Sequence, residues 1–232
     1  MKKFEQELNA LQQQIAGMAD VAQTMVNLST GAIWDAEAKV HADVLSREEQ
    51  LDLLQVQIDG EAIRLLTVYS PVASDLRFIL SASRAATCIE RIGDQAVNIT
   101  EDVQLLADKQ QVVTSHLLKK MAKVVSTMVH DATRAFLFGD VGKATATMTH
   151  DDRVDSMNDQ IIMELLQDET VREAIQGPSD MAGALGQLLI SRSLERMADQ
   201  ATNLCEEVIY MVRGDDIRHQ PHPEGPAESE AE

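Results

Sequence analysis

Four pairs of acidic side chains in this chain share one spacing. Glu48 with Asp52, Glu90 with Asp94, Asp151 with Asp155 and Glu195 with Asp199 each stand four residues apart. Asn98 and Asn203 follow the second and fourth pairs after another four residues, and Asp102 and Glu207 extend those two series again. Residues four apart on a helix share a face, one turn above the other. Each series is therefore an oxygen-bearing ridge. Like charges at this spacing cost about a few tenths of a kcal/mol per pair, which a solvated face absorbs easily. One such pair would mean little; four at matched positions call for a ligand. Carboxylate and amide oxygens are hard donors suited to Mg²⁺, Mn²⁺, Ca²⁺ or iron, with Zn²⁺ a further candidate, and a bound cation offsets the repulsion among the acids. Two facing ridges could surround more than one ion.

The matching comes from an internal repeat. ERIGDQAVNITEDV (Glu90–Val103) and ERMADQATNLCEEV (Glu195–Val208) lie 105 residues apart and agree at eight of fourteen positions. Ser74-Asp75 maps onto Ser179-Asp180 at the same offset. Upstream the offset is 103, carrying Glu48, Asp52, Gln57, Ile58 and Glu61 onto Asp151, Asp155, Gln160, Ile161 and Glu164. The two-residue difference belongs in connections, where length changes are tolerated.

The elements that must position these ridges are helices. Aromatics make up 3% of the chain, too few for a typical sheet protein. Pro71 and Pro178 are the only prolines before residue 221, so long helices can run between them. Leu8, Leu11, Ile15, Met18, Ala22 and Met25 keep the 3-4 spacing of a packed helix seam. The pattern predicts six helices, at about 3–34, 36–69, 74–108, 112–138, 143–176 and 180–213. Ser74 or Asp75, and Ser179 or Asp180, are the candidate caps of the third and sixth. The expected fold is all-α: two tandem antiparallel three-helix bundles related by duplication, over 1–109 and 110–214. A disordered acidic tail, rich in Pro and Glu, is expected over 215–232.

Composition narrows the function. A formal charge of −18 repels phosphate backbones and argues against nucleic-acid binding. The N-terminus lacks a signal-peptide core, and no apolar run approaches the ~20 residues that span a bilayer. Cys88 and Cys205 sit at non-equivalent places in the repeat and read as reduced, buried thiols of a cytoplasmic protein. No phosphate-cradling glycine loop, dinucleotide fingerprint or nucleophile-base set is present.

At the twin segments the sequence resembles the PhoU family of phosphate-uptake regulators. ERIGDQAVNI resembles the family signature, and ERMADQATNL matches it with Ala198 for Gly and Leu204 for Ile. PVASDLR (Pro71–Arg77) resembles a second family element, and RGDDIRH (Arg213–His219) the usual end of the last helix; Pro178-Ser-Asp180 is a degenerate counterpart of the former. The resemblance covers nearly the whole chain to about residue 219. It implies metal clusters, mono- or multinuclear, held by Glu48, Asp52, Glu90 and Asp94 in one bundle and by Asp151, Asp155, Glu195 and Asp199 in the other. Asn98 and Asn203 would support those ligands or orient their helices. The resemblance further implies a non-enzymatic regulator that restrains the phosphate-starvation response. Its implied partners are the ATPase of a high-affinity phosphate importer and a membrane sensor histidine kinase, and it would form a homo-oligomer, most simply a dimer. Any link to the membrane would run through those proteins.

Two other readings stay open beside it. A di-metal carboxylate oxidase needs Glu-x-x-His on two helices, yet none of the six histidines has Glu three places before it. A metal-free helical adaptor would leave the acids merely solvated. Arg77, Arg84 and Arg91, every seven residues on one face, read as solvated or ion-paired, with a partner-contact stripe as the alternative. Trp34 reads as an anchor for the first turn.

Overall fold

The computed structural model describes residues 2–35, 39–108, 115–167 and 178–218. Among them are seven helices: α1 (Lys2–Ala32), α2 (Val40–Tyr69), α3 (Ala73–Asp108), α4 (His116–Phe138), α5 (Val141–Met148), α6 (Asp151–Gln167) and α7 (Pro178–Arg213). These residues contain no strand. No helix among them is long and apolar enough to cross a membrane.

The seam of α1 is the buried one. Leu11, Ile15, Met18, Ala22 and Met25 are all essentially inaccessible to solvent. The same burial recurs 103 residues later in α4, where Leu118, Met121, Val125 and Met128 stand for Ile15, Met18, Ala22 and Met25. The duplication therefore includes the first helix of each half. α1, α2 and α3 pack as an up-down bundle, and α4, α5–α6 and α7 repeat it.

The middle helix of the second half departs from expectation. The single helix anticipated over 143–176 is two, α5 and α6, separated by Thr149 and His150. In this stretch Thr147 and Thr149 turn their hydroxyls onto the carbonyls of Lys143 and Ala146, a local pairing that competes with regular helix. Asp151 and Asp152 then begin a new first turn, where negative charge complements the exposed N–H groups. Residues 168–177, the expected end of this element, lie outside the described residues. So do 36–38 and 112–114, where the second and fourth helices were expected to begin.

Caps differ from the sequence expectation too. α3 opens at Ala73, in a left-handed conformation at φ 51°, so Ser74 and Asp75 lie within its first turn. Ser70 closes α2 just before Pro71, left-handed at φ 45° with its N–H on the Leu66 carbonyl. α7 begins at Pro178, two residues before the expected start. Ser115 caps α4 by accepting from Leu118 N, and Asp140 caps α5 by accepting from Lys143 N. Between them Gly139, at φ 62°, ends α4 in the left-handed form that favours glycine.

The halves lie side by side. α3 packs most extensively against α7, α1 packs on α4, and one continuous apolar cluster runs through both halves. Gln12 Nε2 donates to Leu137 O at 2.7 Å, and Arg77 Nε donates to Met211 O at 3.1 Å. Beyond α7 the described chain continues through Arg218, which pairs with Asp216 and Glu207. The rest of the expected tail, with His219 and His222, lies outside the described residues.

Candidate metal centre

Hydrogen bonds between α2 and α3 set the register of the first ridge pair. Ser83 Oγ donates to Asp59 Oδ1, Gln55 Nε2 donates to Thr87 Oγ1 at 3.4 Å, and His41 Nδ1 meets Thr100 Oγ1 at 2.9 Å. In this antiparallel alignment Asp52 stands across from Glu90, and Glu48 across from Asp94. Ser191 Oγ donates to Asn158 Oδ1 at 2.9 Å and sets the matching register between α6 and α7. There Asp155 stands across from Glu195, and Asp151 across from Asp199.

The acids feel one another. Burial raises the Glu48 carboxyl, and the charges of Asp52 and Asp94 add to it. Burial also raises Glu90, followed by Asp94, Asp52 and Glu48, and it raises Asp94, followed by Asp52. In the second half Asp199 is pushed up to about 6 by burial and then by Glu195, Asp151 and Asp155. Asp155 is raised by burial and by Asp151 and Glu195. All eight predicted carboxylates thus gather as two groups of four.

Gathering is not yet chelation. Glu48, Glu90, Asp94, Asp151 and Glu195 are half-buried, whereas Asp52, Asp155 and Asp199 are exposed. Among the described residues no three His, Cys, Asp or Glu side chains are set to hold a metal ion. The donor type and backbone placement fit a hard cation, with Glu48, Asp52, Glu90 and Asp94 or Asp151, Asp155, Glu195 and Asp199 as its holders. Closing on an ion requires side chains to rotate, which their solvent exposure permits.

Other predicted residues take different roles. Asn98 Nδ2 donates to Gln95 Oε1 at 3.3 Å, not to a ridge carboxylate, while Asn203 is exposed. Glu207 leaves the ridge altogether. It is 4% exposed, accepts from Ser81 Oγ at 3.1 Å, and pairs with Arg84 and Arg218. Its repeat counterpart, Asp102, lines a groove of about 250 Å³ between α3 and α7 with Arg192 and Arg196, and burial pushes it up to about 6. The sequence offered one cue to Glu207: an arginine series on α3 that needed an acid. Arg77 bonds the carbonyls of Met211 and Val212, and Arg84 lies over the Tyr210 ring as well as beside Glu207. Arg91 is exposed. Trp34 is about half exposed, with the Lys119 ammonium 5.0 Å from its ring centre, so it ties the end of α1 to α4. Cys88 and Cys205 are free thiols, each pushed up to about 12 by burial, and are unreactive at neutral pH.

The PhoU domain model matches residues 15–103 and again 118–208. The chain belongs to the PhoU domain family. The two PhoU segments open at Ile15 and Leu118, the buried pair that stand in register on α1 and α4. The chain is 31% identical over 219 residues to the "Phosphate-specific transport system accessory protein PhoU homolog" of Pseudomonas putida, covering 94% of this chain and 84% of that protein. It is 30% identical to the homologue so named from Aquifex aeolicus, covering 95% of this chain and 97% of that one. The crystal structure of PhoU from Pseudomonas aeruginosa superposes with a TM-score of 0.84 at 30% identity, over 91% of this chain and 100% of that one. The phosphate transport system regulatory protein PhoU from Streptococcus pneumoniae shares the fold, with a TM-score of 0.81 at 24% identity over 92% of this chain and 98% of that one.

Proposed function

We propose that this PhoU-family chain is a cytoplasmic, non-enzymatic accessory protein of phosphate transport that binds metal ions and restrains the phosphate-starvation response. The observation that carries the reading is the doubled register of Glu48, Asp52, Glu90 and Asp94 with Asp151, Asp155, Glu195 and Asp199, in a chain whose relatives are named accessory proteins of the phosphate-specific transport system. In this reading the acids of α2–α3 and α6–α7 are held side by side at an electrostatic cost, and the cost makes each face responsive to cations. A divalent cation, Mg²⁺, Mn²⁺ or iron, supplies charge neutralisation there when bound. The chain's own part is to present the faces on rigid helices and to offer them to the importer ATPase and a sensor histidine kinase, as a homodimer.

Two measurements on one variant test this. Glu90→Ala with Asp94→Ala should remove the heat of Mn²⁺ binding from the first half and derepress a phosphate-regulated reporter. Wild-type heat and wild-type repression together would overturn the reading. Flat titrations of the unaltered protein with Mg²⁺, Mn²⁺ and Fe²⁺ would leave a metal-free adaptor.

A further inference from the structure

A basic pocket stands out on this acidic molecule. Lys120, Lys123, Val124 and Thr127 of α4 face His150 in the turn before α6 and Arg153 in its first turn, around a cavity of about 280 Å³. No acid lines it. Among the described residues, Lys120, Lys123 and Arg153 form no ion pair, unlike Arg64, Arg84, Lys143 and Arg218. Three cations and an imidazole therefore converge in a chain of net charge −18, without an ion pair among the described residues.

The break between α5 and α6 shapes the site. It places His150 in the turn and starts α6 beside α4, with Val154 buried inward and Arg153 exposed. The repeat supplies an internal comparison. At the offset of 103, Lys120, Lys123, Thr127, His150 and Arg153 correspond to Gly17, Asp20, Thr24, Arg47 and Gln50. The first half has a continuous α2 there and one acid against one base. The cationic pocket belongs to the second half alone, so duplication and packing do not account for it.

We propose that this pocket binds a phosphoryl oxyanion. Lysine and arginine head groups make charge-assisted hydrogen bonds to phosphate oxygens, about twice as strong as neutral ones. The Thr127 hydroxyl already donates to Lys123 O, so recognition falls to the cations. At about 30 Å³ per water, the cavity has room for more than one phosphoryl group. Three fixed charges also favour a polyanion over a singly charged ion. Inorganic phosphate and a diphosphate share this chemistry, and the diphosphate binds more tightly. Arg153 lies between Asp151 and Asp155 in sequence but about 200° round α6 from each, so the pocket and the second ridge occupy different faces of one helix, and the anion is tested with metal removed.

Calorimetric titration of the full chain, stripped of metal with chelator, tests the proposal with orthophosphate and pyrophosphate. Stripping removes anion binding bridged by a cation on the ridges. Both anions, or pyrophosphate alone, should bind. Lys123→Glu with Arg153→Glu should weaken that binding at least about tenfold, while Lys2→Glu, an exposed cation in the first half, should not. Both substituted residues are exposed, and circular dichroism checks that the variant folds. Orthophosphate binding would make the free ion a ligand; pyrophosphate binding alone would point to a phosphoanhydride. Absence of heat with either anion, unchanged affinity in the double variant, or an equal loss in Lys2→Glu would overturn the proposal.

Discussion

The Glu207 carboxylate of α7 accepts the Ser81 hydroxyl of α3 at 3.1 Å, at a position 4% exposed in the interface between the two halves. Arg84 on α3 and Arg218 beyond α7 complete its partners at 3.4 and 3.7 Å. Glu207→Ala strands this polar cluster, and the expected loss is about 1.5–3 kcal/mol, toward the low end because both arginines are partly in water. Urea unfolding measures it. A loss under about half a kcal/mol would show that the cluster contributes nothing to joining the halves.

Gly93 and Leu51 form a size-matched pair. A Cβ on Gly93 would run into Leu51 Cδ2, which is fully buried, and would press Met25 at 3.4 Å. The counterparts in the second half are Ala198 and Val154, both buried: one side gains a methyl and the other loses one. Gly93→Ala should therefore cost about 1–3 kcal/mol from overpacking. Adding Leu51→Val should recover most of it, giving a coupling energy above about 0.5 kcal/mol in a double-mutant cycle. Strict additivity would sink the idea.

Acid should first stabilise the protein and then destabilise it. Asp102 and Asp199 are held at about 6 by burial, against an ordinary 3.8. Between about pH 6 and 4 the folded chain binds protons that the unfolded chain has released, so stability rises as pH falls through that window. Asp216 acts in reverse: Arg218 holds it at about 2, so its contribution is present above about 3.8 and lost below. The melting temperature of metal-free protein should thus peak near pH 4. Asp102→Asn with Asp199→Asn should flatten the rise from about pH 6 to 4, and a profile that keeps its slope would refute the assignment.

Cation binding should appear as added stability. A ligand that binds only the folded chain adds about 2.7 kcal/mol at one hundred times its Kd. Mn²⁺ should raise the melting temperature in a concentration-dependent way, and chelator should reverse it. Asp155→Asn with Asp199→Asn should halve the number of ions bound while leaving the first-half group intact. Full stoichiometry in that variant would place the ions elsewhere.

Much of this was legible in residue spacing. The 3-4 seam of α1 and the two acid-x-x-x-Asp series follow from helical periodicity, a local property that each segment carries by itself. Repeat offsets of 105 and 103 paired the halves without coordinates. Other features escaped. The Thr-rich turn at 149–150 was hidden because the apolar pattern runs on through it, so periodicity alone saw one helix. Glu207 looked like a further rung of its ridge, since spacing gives a side chain's angle on its own helix but not what faces it.

The linear order of residues determined an all-helical, duplicated molecule with carboxylates stacked in rows, because those depend on i, i+4 geometry within single elements. The packing of α3 against α7 decided which acids face a neighbouring row and which one is buried against Ser81 and Arg84. It took the placing of α6 beside α4 to bring Lys120, Lys123 and Arg153 together across some thirty positions of sequence. Charge and burial act through space, and the distances that set them exist only once the helices have docked.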